Sequence, residues 1–361
     1  MTLKLPELRQ AIDTLDDELV KLLNERARLV QEVGKLKAQL KQPFYVPERE
    51  RQILERLQAA NAGPFPTEAL RPVFSEIISA CLSLEHPLRV AFLGPEATFT
   101  HMAARSRFGL SARYVPAATV AGVFTEVEKG VADLGVVPIE NSTEGVVNST
   151  LDVLIDSELC ITAEIATTVS HCLLTRSGTL DGVQKVYSHP QALAQCRQWL
   201  SANLPNVAQI EVASTALAAR LTRDDPVAAA VASELAGHLY DLKIARQKIE
   251  DEVRNVTRFL VIGREAAPAT GRDKTSILFS LKDEAGVLYK VLQPLADAGL
   301  NMSRIESRPS RKKLWDYVFF IDVDGHQSEA PVQAAIAALE ERCQFVKVLG
   351  SYPRATGPEE P

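Results

Sequence analysis

The chain has 361 residues, 46% of them hydrophobic, and a formal net charge of −6 at neutral pH. This length exceeds what one hydrophobic core ordinarily organises, so two or three domains are expected. The acidic balance, with Lys and Arg dispersed among acids, excludes the basic footprint of a nucleic-acid-binding protein.

Targeting segments and cofactor motifs are not expected. The segment MTLKLPELRQAIDTLDDELV lacks an uninterrupted apolar core, and no stretch approaches the ~20 apolar residues that span a bilayer. Five scattered cysteines without a C-x-x-C pair favour reduced thiols and a cytoplasmic protein. The histidines show no metal-ligand spacing, and neither G-x-G-x-x-G nor a P-loop occurs, so no metal or nucleotide cofactor is predicted.

Residues 1–86 carry only a helical pattern. Apolar residues recur at spacings of three, four or seven from Leu8 to Leu36, which predicts one helix over residues 5–41. A second helix is expected to begin at Pro47, and a third to span residues 67–85. Because one long helix with a broad apolar stripe cannot be covered by two shorter ones, this all-α segment is predicted to form an intertwined dimer.

Residues 88–265 alternate short apolar strands with helices, which predicts an α/β domain. Ser, Thr and Asn follow several strands at the start of the next helix. One interpretation is simple helix capping; the other is an anion-binding cleft, because helix N-termini attract carboxylates and strand ends converge. The residues concerned are Thr98, Thr100, Asn141, Ser142, Thr143, Ser188, Ser214 and Thr215.

After the linker AAPATGRDK, residues 274–353 read as strand, helix, two strands, helix and strand. This βαββαβ order predicts an α+β ferredoxin-like domain.

The helical segment and six motifs after it, across nearly the whole chain, resemble the bifunctional chorismate mutase–prephenate dehydratase family of phenylalanine biosynthesis. The motifs follow the helical segment as GPEATFTHMA, PIENSTEGVVN, YSHPQALAQC, NVTRF, AGVLYKVL and ESRP. The resemblance implies an enzyme that rearranges chorismate to prephenate and converts prephenate to phenylpyruvate, CO2 and water. It also implies a dehydratase domain of two α/β lobes, like a periplasmic binding protein, and feedback inhibition by L-phenylalanine.

The all-α segment resembles chorismate mutase, whose Claisen rearrangement needs fixed cations to hold a dicarboxylate and stabilise the breaking ether oxygen. The resemblance implies that Arg26 and Arg49 bind substrate, Lys37 meets the ether oxygen and Glu50 accepts the substrate hydroxyl. Arg9 is expected to enter the partner's site.

Three positions depart from the family pattern: Val46 stands for an Asp, Cys81 for a Ser and Glu85 for a Gln. Cys81 and Glu85 are still expected at the substrate. An ionised Glu85 would repel the developing oxyanion, so we predict mutase activity that falls as pH rises and Glu85 ionises. Burial that keeps Glu85 neutral throughout is the open alternative, and comparison of pH–rate profiles with Glu85→Gln separates the two.

The central segment resembles prephenate dehydratase, in which the Thr257 hydroxyl is implied to be essential. It is expected to donate a hydrogen bond to the leaving hydroxyl or to orient the substrate. In a strand Arg258 points away from Thr257, so it is expected to support the lobe junction or grip a carboxylate from another side. Glu140 is a candidate acid only with a raised pKa. The expected substrate-binding set is Thr98, Glu140, Asn141, Ser142, Gln195, Asn255, Thr257 and Arg258.

The last segment resembles the ACT regulatory domain. AGVLYKVL and ESRP imply L-phenylalanine binding at a subunit interface by Gly286, Val287, Leu288, Glu306, Ser307, Arg308 and Pro309. The alternative function is a non-catalytic two-lobed regulator that binds an amino acid or another solute. That alternative leaves the cations of the helical segment unexplained, and formation of phenylpyruvate without nicotinamide cofactor would distinguish the enzyme from it.

Overall fold

The computed structural model describes residues 4–40, 45, 47–252, 255–281, 284–309 and 317–355. The chain forms two compact units: residues 1–89 with 105–113, and residues 90–104 with 114–361. No helix within the described ranges is long and apolar enough to cross a membrane.

The first unit is built on three helices, α1 (Leu5–Leu40), α2 (Pro47–Ala60) and α3 (Thr67–Glu85). Both α1 and α2 pack against α3. α1 has 36 residues, and Gly34 is its one buried residue. Its leucines, and valines such as Val20 and Val33, therefore remain exposed along the helix. The unit also includes residues 105–113, where the Phe108 carbonyl accepts a hydrogen bond from Ser79 Oγ at 2.7 Å.

In the second unit, the first α/β lobe is a six-stranded sheet ordered β2-β1-β3-β11-β5, with β4 paired to β3. β11 runs antiparallel to both of its neighbours, and β1 runs parallel to β3. The elements of this lobe are β1 (Arg89–Leu93), α4 (Phe99–Phe108), β2 (Arg113–Ala117), α5 (Val120–Glu128), β3 (Leu134–Asn141), β4 (Gly145–Val146), α6 (Asn148–Asp156), β5 (Cys160–Thr168) and β11 (Val256–Gly263).

The second lobe lies in the chain between β5 and β11. Its sheet has the order β10-β6-β9-β7-β8, parallel between β8, β7 and β9 and antiparallel between β9, β6 and β10. Its elements are β6 (Cys172–Thr175), β7 (Lys185–Ser188), α7 (Pro190–Gln195), α8 (Arg197–Asn203), β8 (Ala208–Glu211), α9 (Thr215–Asp224), β9 (Ala228–Ala232), α10 (Glu234–Leu239) and β10 (Lys243–Arg246).

The C-terminal domain has the predicted βαββαβ order, and its sheet is antiparallel with the order β13-β14-β12-β15. α11 and α12 pack together. The elements are β12 (Asp273–Ser280), α11 (Val287–Asp297), β13 (Met302–Pro309), β14 (Tyr317–Asp324), α12 (Ala330–Arg342) and β15 (Phe345–Pro353).

The C-terminal sheet shares a hydrophobic core with the first lobe. Leu278, Phe320 and Leu349 are buried in one cluster with Leu151 and Ile161. Gly350 permits the approach of β15 to β5, because a Cβ atom there would lie 2.2 Å from the Ile161 carbonyl oxygen. The C-terminal domain and the first lobe therefore share one continuous hydrophobic core within the second unit.

The three helices, the α/β layout and the βαββαβ order confirm the predicted fold class. One difference concerns residues 159–175, which divide into β5 and β6 in different lobes, with the break at Val169–His171. β9 was not predicted, since its sequence AAAVA has no strand periodicity. Two positions used in the predictions lie outside the described residues: Lys41, the predicted end of the first helix, and Val46.

Candidate active sites

The helical unit contains a pocket of about 500 Å³. Six of the seven residues predicted for the mutase site line it: Arg26, Lys37, Arg49, Glu50, Cys81 and Glu85. Arg9 is exposed on α1 and is not part of this pocket. Six residues that the family resemblance assigned to the mutase site therefore lie around one space.

A cation and a carboxylate face each other in this helical pocket. Lys37 Nζ lies 3.6 Å from Glu85 Oε1, and the Glu85 side chain is 3% exposed. The close packing depends on Gly34, because a Cβ atom there would stand 2.3 Å from Glu85 Cγ. The glycine that weakens α1 by propensity thus admits the Glu85 side chain. The pH dependence expected from Glu85 stays a prediction.

Two arginine side chains, Arg107 and Arg26, set the charge distribution in and around the helical pocket. Arg107 Nη1 holds Glu50 Oε2 at 2.9 Å and so orients that carboxylate. Arg26 Nη1 is buried and finds no hydrogen-bond partner among the described residues. A buried guanidinium nitrogen without a partner is costly, and an anionic ligand would satisfy it.

The second unit contains a cleft between its two lobes with a volume of about 450 Å³. The chain crosses between lobes at Val169–His171 and again before β11, and Val169 N donates to the Asn255 carbonyl at 2.8 Å. Five of the eight predicted dehydratase residues line this interlobe cleft: Thr98, Asn141, Gln195, Asn255 and Thr257. Polar side chains thus gather where the crossings meet the strand ends.

Asn141 and Thr257 are register partners on neighbouring strands β3 and β11. Asn141 Oδ1 accepts from the backbone N–H groups of Thr143 and Glu144 at 3.0 and 3.1 Å. Asn141 Nδ2 then donates to Asn255 Oδ1 and to Thr257 Oγ1, both at 2.7 Å. Because Thr257 Oγ1 accepts, its own proton is available for a group in the cleft.

Gln195 extends this network across the cleft from the end of α7. Its Oε1 accepts from Asn255 Nδ2 at 3.1 Å, and its Nε2 donates to Glu144 Oε1 at 3.1 Å. Gln191 also donates to Glu144. The amides therefore connect residues of both lobes in one hydrogen-bonded chain.

Three predicted dehydratase residues do not line the interlobe cleft. Ser142 Oγ accepts from Val256 N and completes the pairing of β3 with β11. Glu140 and Arg258 point to the opposite face, where Arg258 forms ion pairs with Glu164 at 2.8 Å and Asp322 at 2.6 Å. Alternation along a strand explains this, because neighbours of Asn141 and Thr257 must face away from them. These ion pairs place Arg258 at the junction between the first lobe and the C-terminal sheet, whereas the prediction concerned the junction between the two lobes or a substrate carboxylate.

Sequence reasoning missed several cleft residues. His171 lies at the first crossing, and Phe99 packs on its ring edge to face with centroids 5.3 Å apart. Glu144 lies in the turn after β3. The sequence does show a histidine within the largely apolar stretch TTVSHCLLT. Its position in the cleft could be recognised only once the structure showed that this stretch crosses from one lobe to the other.

The residues predicted to bind L-phenylalanine lie on two elements of the C-terminal domain. Gly286 begins α11 with φ 76°, a conformation that favours glycine. Glu306 to Pro309 lie on β13, an edge strand of its sheet. Arg308 Nη1 donates to Asn148 Oδ1 at 2.6 Å and Nη2 pairs with Asp152 at 3.0 Å, so this motif contacts α6 of the first lobe.

Comparisons with known proteins agree with this arrangement. Family models match for chorismate mutase type II over residues 8–86, prephenate dehydratase over 90–267 and the ACT domain over 275–341. A bifunctional chorismate mutase/prephenate dehydratase of Aquifex aeolicus is 52% identical over 356 residues, covering 98% of each chain.

Two solved structures resemble the second unit. Prephenate dehydratase of Arthrobacter aurescens, in complex with L-Phe, is 36% identical with a TM-score of 0.69, covering 74% of this chain and 90% of that one. A quorum-quenching acylase is 32% identical with a TM-score of 0.69, covering 74% of this chain and 98% of that one.

The fold and the two pockets define a fused two-site enzyme with a C-terminal regulatory domain. The sequence identity of 52% to a relative over 98% of each chain then identifies the family. The chain belongs to the bifunctional chorismate mutase/prephenate dehydratase family. The predicted family and the prediction of an enzyme with both activities are confirmed, and the findings do not support the non-catalytic regulator.

Proposed function

We propose that each pocket performs one of two successive reactions on the same carbon skeleton. The helical pocket converts chorismate to prephenate, and the interlobe cleft converts prephenate to phenylpyruvate, CO2 and water.

In the helical pocket, Arg26 and Arg49 bind the two carboxylates and Lys37 meets the ether oxygen. The rearrangement breaks a C–O bond and forms a C–C bond within one molecule, so it needs orientation and charge stabilisation rather than a nucleophile. The partnerless nitrogen of Arg26 supports this assignment. Cys81 and Glu85 complete the wall, and Arg9 comes from a second copy.

In the interlobe cleft, the ring carboxylate leaves as CO2 while its electrons aromatise the ring and expel the C4 hydroxyl, which departs as water after gaining a proton. Thr257 donates a hydrogen bond to that hydroxyl. The observation that carries this proposal is the Asn141 Nδ2 to Thr257 Oγ1 bond of 2.7 Å, which leaves the hydroxyl proton to the cleft. Glu140 and Arg258 take no part in binding.

Thr257→Ala tests the assignment. We expect phenylpyruvate formation to fall about 100-fold or more, because the leaving group loses its hydrogen-bond donor. Mutase turnover of the same preparation serves as the internal control and should be unchanged, while Thr257→Ser, which keeps the hydroxyl, should retain more activity. Full dehydratase activity in Thr257→Ala would refute the role.

Acyl transfer is not proposed for the cleft, despite the resemblance to an acylase. A hydroxyl nucleophile needs an adjacent general base to take its proton. Among the described contacts, Thr257 Oγ1 accepts a hydrogen bond from Asn141 Nδ2, and no contact joins it to a base.

L-phenylalanine is the proposed effector, bound by the C-terminal domain through Gly286 to Leu288 of one subunit and Glu306 to Pro309 of another. The Arthrobacter aurescens structure contains L-Phe and supports this ligand. The contact of Arg308 with α6 connects the motif with the first lobe. Inhibition requires that L-phenylalanine bind a less active state more tightly.

A homodimer or larger homo-oligomer in the cytoplasm is the proposed assembly. Exposed leucines along α1 support a second copy as their cover, because such a stripe is unfavourable in water. The five cysteines are free, which suits a reducing compartment.

A further inference from the structure

His171 is the buried titratable group of the interlobe cleft that the proposed reaction does not use. The residue is 2% exposed, and it is the last residue of the crossing segment Val169–His171, directly before β6. Its backbone N–H donates to Glu250 Oε2 at 2.8 Å, and its Nε2 lies 2.8 Å from Gln195 Oε1. Thus its ring is attached to the amide chain that ends at Thr257.

Direction in this amide chain is set from one end by groups that can only donate. The backbone N–H groups of Thr143 and Glu144 require Asn141 to present its Oδ1 to them. Asn141 Nδ2 must then face Asn255 and Thr257. Asn255 therefore presents its Oδ1 to Asn141 and its Nδ2 to Gln195.

From the other end, the direction is set by a group that accepts. Glu144 Oε1 takes a hydrogen bond from Gln195 Nε2 at 3.1 Å, so Gln195 Oε1 faces His171 and Asn255. An amide oxygen accepts only, and hence His171 Nε2 carries the proton. Its Nδ1 is buried and has no hydrogen-bond partner within the part of the chain that the structure describes.

The surroundings keep this tautomer neutral. Burial lowers the pKa of His171 below its ordinary value, against smaller opposing effects of Gln195 and Glu250. The edge of Phe99 closes one side of the ring. A neutral ring whose one N–H is engaged by Gln195 is unsuited to serve as the general acid.

We propose that His171 is a positioning residue of the dehydratase: its Nε2–H holds the Gln195 carbonyl so that Asn255, Asn141 and finally the Thr257 hydroxyl keep their donor directions toward the substrate. The inference rests on the proposed role of Thr257. It predicts loss of turnover when the donor at the Nε2 position is removed, with little effect on substrate binding.

His171→Gln and His171→Asn form the matched pair that tests this. The Gln amide reaches the position of Nε2, whereas the Asn amide reaches only that of Nδ1. We expect kcat for phenylpyruvate formation to fall about tenfold in His171→Asn, the worth of one hydrogen bond, with KM nearly unchanged. His171→Gln should retain several times more activity. His238→Asn, at a side chain 75% exposed, is the control.

A double-mutant cycle with Gln195→Met separates positioning from general stability. Because His171 acts through Gln195, adding His171→Asn to Gln195→Met should lower kcat no further. Mutase turnover and the melting temperature report folding; if His171→Asn does not fold, Gln195→Met alone should show the same fall in kcat.

Equal kcat in the two His171 variants, or additive losses in the cycle, would overturn the role of His171. Those outcomes differ from failure of the proposed function, in which Thr257→Ala itself retains dehydratase activity.

Discussion

At the scale of single residues, the dehydratase site is determined by hydrogen-bond direction. Asn141 is the pivot, because its oxygen is engaged by two backbone N–H groups and its nitrogen by two side-chain oxygens. All of its hydrogen-bonding capacity on the nitrogen side is thus used, and the direction of the Thr257 proton follows from it. Whether the atom at the Nδ2 position of residue 141 is nitrogen or oxygen therefore matters more for the direction of the Thr257 proton than the polarity or size of the side chain.

Asn141→Asp reverses that direction at almost constant volume. A carboxylate oxygen in place of Nδ2 cannot donate, so Thr257 would turn its proton toward residue 141 and away from substrate. We expect kcat for phenylpyruvate formation to fall about 100-fold, the scale of a lost transition-state donor. Steady-state assay against Asn203→Asp, an exposed asparagine on α8, provides the comparison. Parent-like kcat in Asn141→Asp would contradict the direction argued for Thr257.

At the scale of elements, β11 presents two functional faces. Thr257 faces the interlobe cleft. Arg258 faces the ACT domain, where its guanidinium pairs with Asp322 of β14, and it also pairs with Glu164 of β5 in the first lobe. Tyr352 accepts from Arg258 at 3.2 Å as well. Adjacent residues of one strand therefore contact the interlobe cleft and the ACT domain.

Arg258→Met should destabilise the second unit by about 3–5 kcal/mol, because it leaves the buried carboxylates Asp322 and Glu164 without this cation. Urea-induced unfolding measures the change. Arg223→Met is the control, because its ion pair with Asp224 lies at the surface, where solvent screens the two charges, and its loss should change stability little. Equal stability of the two variants would contradict the importance of the buried pair.

The same pair predicts a dependence on pH. Burial alone raises the pKa of Asp322, but Arg258 and Ser276 lower it by more, so the net pKa lies below its ordinary value. A carboxyl whose pKa is lowered by folding contributes stability above its unfolded pKa and loses it as pH falls through the folded one. Asp322→Asn should therefore lose stability less steeply on acidification than the parent.

At the scale of the whole molecule, α1 is the interface through which we propose that the chain assembles. Leu15 and Leu22 are 58% and 60% exposed on one chain, and similar leucines continue along the helix. Burial of each such side chain is worth about 1.5–3 kcal/mol, so a second copy gains much by covering them. The same association would supply Arg9 to the helical pocket.

Leu15→Glu combined with Leu22→Glu should abolish that association. We expect a lower mass by light scattering and loss of mutase turnover, because the apolar stripe now carries buried charges and Arg9 of a second copy is withdrawn. Lys35→Glu, which adds a glutamate at a side chain 68% exposed, should leave both unchanged. An unaltered mass and mutase rate in the double variant would exclude α1 as the interface.

The sequence by itself determined the fold class and the family, and six residues that it predicted for the mutase site and five that it predicted for the dehydratase site line the two pockets. It could do so because periods of 3.6 and 2 encode helix and strand locally, and because motifs such as NVTRF keep neighbours together in the chain. Alternation even predicted that Arg258 turns from Thr257. The run AAAVA of β9 was missed, since a buried strand of alanines carries no period.

Only the tertiary structure decided what each side chain meets. His171 and Gln195 lie 24 positions apart, Asn141 and Thr257 116 apart, and Arg258 and Asp322 64 apart. Local pattern carries no information about such contacts, because they arise when separate elements pack. The exclusion of Glu140 and Arg258 from the cleft, the space that Gly34 leaves for Glu85, and the proton on His171 Nε2 all follow from that packing.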